Sequence, residues 1–169
     1  MYFPRRGTII FGGLFLGSLL CCVRHEKSDS LRIVSLSPAM TEILFSLGAG
    51  DKIVGATTFC DHPPEAKKIT RVGDFSHPSI ERIIALKPDL VIVHLPEQRR
   101  IQEELNKFRM KIFSSSPHSL SEIYAEISAL GRAIDLDKQS DSLVAYMKAN
   151  LEAVTPGHRK RIYLEISPR

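Results

Sequence analysis

The residues with the widest chemical range are Cys60, Asp61, His62, His77, His94 and His118. Thiol, carboxylate and imidazole together could hold a transition metal or pair as acid and base. The spacing does not single out such a site, because no two of the six stand at i, i+4 and the chain has no C-x-x-C. Asp61-His62 runs straight into Pro63-Pro64, which is turn chemistry. No P-loop, G-x-S-x-G or H-E-x-x-H occurs. Gly48-Ala49-Gly50 has two of the dinucleotide glycines but follows a helical pattern, which makes it a helix cap with a turn.

A second group suggests binding without bond-making. Phe59 and Phe75 sit in a long loop outside any core periodicity, and His94 ends an apolar strand where the chain emerges. Planar groups around an open cleft suit a large, flat or macrocyclic ligand held by stacking and area burial. The competing reading is that both Phe side chains pin the loop onto the sheet. Ser37-Pro38-Ala39 opens a helix, with Ser37 as N-cap and Pro38 as first helical residue. Free N–H groups at that start could also face a ligand carboxylate or phosphate. Glu42, one turn later, suits the helix dipole and needs no other role. Glu81 stands on the outer face of the short segment SIERIIALKPDL, whose Ile80, Ile83, Ile84 and Leu86 fall at helical spacing. Pro88 bars Lys87 from continuing that helix.

These residues need a scaffold, and the chain alternates strand and helix patterns from Leu31 onward. The strands are RIVSL, KIVGAT, DLVIVH, KIFSS and RIYLEI. The helices are SPAMTEILFSLG, the Glu81 segment, a stretch around EQRRIQEELNKF, another around SLSEIYAEISALGRAI, and a long one over Asp137–Val154. Apolar strands alternating with amphipathic helices imply an α/β fold, a parallel sheet with helices on both faces. TFCDHPPEAKKITRVGDFSHP reads as a loop with little regular structure. Ligands of such sheets sit outside the carboxyl ends of the strands. That edge collects Ser37-Pro38-Ala39, the Thr57–Pro78 connection, His94-Leu95-Pro96 and Ser115–His118.

The first residues stand apart. Arg5 and Arg6 precede 17 uncharged residues, GTIIFGGLFLGSLLCCV, the layout of a secretory signal. That run is at the short limit of a membrane span, so an uncleaved anchor is the alternative. Leu19-Leu20-Cys21-Cys22 resembles a bacterial lipoprotein box, with Cys22 as the lipidated residue and 1–22 as the signal peptide. Residues 23–30 would then be a linker. Without Arg5 and Arg6 the 23 basic residues fall to 21 against 19 acidic ones, a net charge of +2. Nothing there calls for nucleic acid. Cys60 has no evident disulfide partner and reads as a small inert residue.

RIVSLSPAMTEILFSLG, IVGATTFCDHPPEAKKITRVGDF and SIERIIALKPDLVIV, in this order and spacing, resemble the first lobe of class III periplasmic binding proteins. These are the receptors of ABC importers for cobalamin, haem and ferric siderophores, and the similarity is nearest to cobalamin-binding members. The resemblance implies a Rossmann-like lobe over 31–136, an interlobe helix over 137–154 and the start of a second lobe over 155–169. That second lobe would be truncated at Arg169. It implies ligand contact by Phe59, Phe75, His94 and the Ser37-Pro38-Ala39 turn. It also implies docking of Glu81 on arginines of an ABC permease served by an ATPase, a membrane tie through Cys22, no resident cofactor and no catalysis. The alternative is a metal-ion-binding protein or metal-dependent enzyme using the loop histidines.

Overall fold

The computed structural model describes residues 31–153. The expected signal peptide, the linker, Cys22 and the strand RIYLEI lie outside the described residues. Within them the order is β1 (Ile33–Ser35), α1 (Pro38–Ser46), β2 (Ile53–Ala56), α2 (Ile80–Ala85), β3 (Leu90–His94), α3 (Arg99–Lys107), β4 (Ile112–Ser115), α4 (Leu120–Ala133) and α5 (Asp137–Glu152). The four strands are parallel in the order β2-β1-β3-β4.

Helix starts follow the serines. Ser37, Ser79 and Ser119 are the N-caps of α1, α2 and α4, with hydroxyls accepting from the N–H groups of Met40, Arg82 and Glu122. α2 ends where Pro88 requires: Lys87 turns left-handed at φ 46°.

Alternate strand residues feed two cores, as a sheet covered on both faces demands. Ile33, Leu90 and Ile92 pack with Met40 and Leu44 of α1, its C-cap Leu47 and Leu130 of α4. Val34, Val91 and Val93 pack on the other face with Ile83 of α2 and Ile101 and Leu105 of α3. Each fully buried aliphatic side chain contributes about 1.5–3 kcal/mol of transfer free energy. α5 lies against α4 at Gly131, where any Cβ would collide with Ser140.

The long connection has more order than its sequence suggests. Pro64–Lys68 forms a 3-10 turn, and Thr70–Val72 runs beside β2 through one parallel bridge, Ala56 with Arg71. Ala56 N–H donates to Thr70 O at 3.0 Å and Val72 N–H donates to Ala56 O at 3.0 Å. The Arg71 guanidinium donates to the carbonyls of Thr57 (2.7 Å), Cys60 (3.0 Å) and Ala66 (3.2 Å), gathering the loop around one cation. A single bridge is too short to leave a periodic pattern, and carbonyl acceptors leave no trace in side-chain types.

Candidate functional site

The two central strands hand their chains to opposite faces. β1 leads into α1 on one face and β3 into α3 on the other, so the exits of β1 and β3 flank the point where the winding reverses. Leu36 N–H donates to Ile92 O at 2.9 Å, keeping these exits side by side.

At the β1 exit, Ser37 is buried and its hydroxyl is committed to capping α1. Beneath it the Thr41 hydroxyl lies 2.8 Å from Ser35 Oγ and 2.9 Å from Ser37 O. The outward part of this turn is therefore half-buried Pro38 and exposed Ala39. Ser37 shapes the turn from below.

Phe75 rides on a tight turn that Gly73 opens at φ 127°. Asp74 Oδ1 accepts from the N–H groups of Ser76 (2.8 Å) and His77 (2.6 Å), closing the turn beneath the ring. The Phe75 and His94 rings lie 6.2 Å apart, centre to centre, inclined at 48°, within the range of favourable aromatic pairs. Both residues are half-buried. Thr58 N–H donates to Gly73 O at 2.9 Å, which brings the Phe59 turn to the same edge. Phe59 itself is 61% exposed, far from a loop-pinning burial. Pro38, Ala39, Phe59, Phe75 and His94 thus lie at the carboxyl edge of the sheet, with the Phe75–His94 pair in ring contact range.

Gln98 is a buried link between the loops of this edge that sequence reasoning missed. It is fully buried, and its amide links the β1 exit, the β3 exit and the Phe75 turn. A lone glutamine at the start of a polar helix carries no signal of such a role.

The six candidate metal ligands are scattered among other partners. Cys60 is buried, its sulfur 3.1 Å from Thr57 Oγ1. Asp61 and His62 are exposed. His77 Nδ1 lies 3.5 Å from Asp74 and His94 Nε2 lies 3.7 Å from Glu97. The backbone N–H of His118 donates to Glu122 Oε2. Among the described residues no three His, Cys, Asp or Glu side chains gather as a metal site.

Glu81 is exposed on the first turn of α2, where Ser79 Oγ donates to its Oε2 at 2.9 Å. Its own backbone N–H, and then the Ser79 hydroxyl, hold its carboxyl below the ordinary range.

Asp74 gives the Phe75 turn, part of an aromatic shelf formed with Phe59 and His94, a pH dependence. The backbone N–H of His77 is the main group that holds its carboxyl below the usual value, with Ser76 N–H and the His77 ring adding to it. A carboxyl depressed in the folded state favours folding above its unfolded pKa, and that contribution is lost as pH falls through the folded value. Amide protection at Ser76 and His77 is therefore expected to hold from neutrality to roughly pH 4 and to drop below it. Asp74→Asn, which keeps an acceptor that cannot titrate, should abolish the step when exchange is followed by NMR across that range.

Among the described residues no helix is long and apolar enough to cross a membrane.

A family model described as periplasmic binding protein matches residues 33–161. The chain is 34% identical over 153 residues to an uncharacterized ABC transporter substrate-binding lipoprotein, YvrC, of Bacillus subtilis, covering 84% of this chain and 48% of that protein. It is 37% identical over 120 residues to the vitamin B12-binding protein of Photorhabdus laumondii, covering 70% of this chain and 44% of that one. The solved structure of the periplasmic vitamin B12 binding protein BtuF of Vibrio cholerae superposes with a TM-score of 0.66 at 32% identity, over 72% of this chain and 48% of that one. The chain thus spans about half the length of the relatives it matches.

Proposed function

Since the chain belongs to the periplasmic binding protein family, we propose that it is a solute-binding receptor of an ABC importer, exported and tied to the membrane through Cys22. It binds cobalamin or a related tetrapyrrole or iron chelate and delivers it to a permease and its ATPase, with no catalysis of its own.

The observation that carries this reading is the Phe75–His94 ring pair at the carboxyl edge of the sheet, with Phe59 exposed on the adjoining turn. An exposed aromatic on the same edge as an aromatic ring pair matches a flat ligand held by area burial. The His94 imidazole adds a haem reading, because an imidazole beside an aromatic wall could ligate haem iron. The two readings separate in one experiment: titration of the chain with cyanocobalamin, haemin and a ferric siderophore, with the haemin arm followed through its Soret band. Binding of cyanocobalamin without a haemin response supports the corrinoid reading. Silence in all three, repeated with a second lobe fused after residue 169, rejects the proposal.

Glu81 is the permease contact in this reading. What supports it is an exposed, ionised carboxylate on a serine-capped first turn. Glu81→Lys is expected to lower uptake by tenfold or more, the scale of a like-charge clash at an interface of several kcal/mol. Ligand affinity should stay unchanged, since the exposed Glu81 side chain is bonded to Ser79 and not to Phe75 or His94. Uptake at the wild-type rate in transport-competent cells would remove Glu81 from the docking face.

A further inference from the structure

We infer that Gln98 is the positioning residue that sets the separation of the Phe75 and His94 rings, and so fixes the shape of flat ligand the shelf accepts. The second half of this inference rests on the binding reading above.

The chemistry of the amide makes the case. Gln98 Oε1 accepts from His94 N–H at 2.9 Å, while Nε2 donates to Phe75 O at 2.8 Å and to Leu36 O at 3.0 Å. Each ring-bearing residue is thus held by its own backbone to opposite ends of one rigid, planar group. The third bond ties the same group to the β1 exit. The other side of Gln98 is equally fixed: its backbone N–H donates to His94 O at 2.9 Å, and its carbonyl accepts from Gln102 N–H at 3.0 Å in the first turn of α3.

No other side chain meets this demand. One acceptor and two donors are needed at the end of a two-methylene stem. Glutamate has no donors when ionised, lysine and arginine have no acceptor, and asparagine is one methylene short. The amide orientation is also fixed by its partners, because a flipped group would set N–H against N–H and oxygen against two carbonyls. A residue needed only for volume would be apolar, since a buried amide is costly unless every polar atom is paired. Here every one is paired, and the pairs converge on the two ring-bearing residues at the reversal point of the sheet.

The test compares the full chain with Gln98→Glu and Gln98→Met. Glutamate keeps the shape and the acceptor but sets an oxygen against the carbonyls of Leu36 and Phe75. Methionine keeps the volume and loses all three bonds. Each buried carbonyl left without a donor favours local opening by about tenfold. Both variants should therefore exchange the amides of Ser76, His77, His94 and Leu95 about tenfold faster or more. They should lose the proton NOE between the Phe75 and His94 rings, with exchange in α5 unchanged. Cyanocobalamin affinity should fall about tenfold as the rings lose their spacing. Unchanged exchange with an intact ring NOE would overturn the inference, and so would acceleration spread evenly through α5, which marks a merely structural residue. If neither the wild-type chain nor the form with a fused second lobe binds cyanocobalamin, haemin or the ferric siderophore, the binding reading fails, and the exchange and NOE results still decide whether Gln98 positions the rings.

Discussion

Replacing Gly73 by alanine is expected to lower the melting temperature of the chain by about 10 °C and to abolish binding at the shelf. Gly73 sits at φ 127°, a region that side chains with a Cβ rarely adopt. The added Cβ would meet His77 O at 2.7 Å, Pro78 Cα at 2.8 Å and Ser79 N at 3.1 Å. All three are backbone atoms, so no rotamer change relieves the clash, and the turn itself must open. Backbone strain of this kind costs about 1–3 kcal/mol, and displacement of the facing His77, Pro78 and Ser79 backbone adds to it. A total of about 3 kcal/mol corresponds to roughly 10 °C for a chain of this size. The functional loss follows from the same geometry. Gly73 O accepts from Thr58 N–H, and the next two residues are Asp74 and Phe75, so opening the turn frees both the Phe59 and the Phe75 sides. Thermal unfolding by circular dichroism, with cyanocobalamin titration of whatever remains folded, checks both halves. A melting temperature within 2–3 °C of the wild type would mean that the turn accommodates a Cβ, and that the Phe75 shelf is softer than described.

How far the sequence reaches depends on what each interaction is made of. The continuous apolar runs of β1 and β3, alternating with amphipathic helices, are written as side-chain type, and they predicted the parallel sheet with helices on both faces. Pro88 after Lys87, and serine before each of α1, α2 and α4, are local stereochemistry, equally visible in the chain. The site is a different matter. Which loops share an edge follows from topology, so Phe59, Phe75 and His94 could be grouped. The pairing of Phe75 with His94, by contrast, depends on carbonyls and N–H groups that every residue carries alike. Gln98 and Arg71 act through those backbone groups: Arg71 draws in three carbonyls of the long loop, and Gln98 joins three segments. Ser37 shows the same limit from the other side. Its type announced a helix cap, but not that it would be buried, leaving Pro38 and Ala39 as the outward part of the turn.

Phe59 offers the sharpest separation between binding and folding. With 61% of its surface exposed, its side chain takes little part in the core, so Phe59→Ala should change stability by no more than about 0.5 kcal/mol. A flat ligand lying on the shelf would cover the exposed face of the ring. An aromatic side chain buries about 150–250 Å2, and at about 25 cal/mol per Å2 the exposed share amounts to roughly 2–4 kcal/mol. Cyanocobalamin affinity should therefore fall by roughly 30-fold to several hundredfold, with the melting temperature unmoved. Phe75→Ala should behave differently, because its half-buried ring leans on His94: both quantities should fall, and the stability loss should be the larger of the two variants'. Titration and thermal unfolding of the two variants side by side give four numbers that the loop-pinning reading orders in another way. If Phe59 serves to hold its loop down, its removal costs stability and leaves affinity alone, the reverse of what an exposed ring on a binding edge requires.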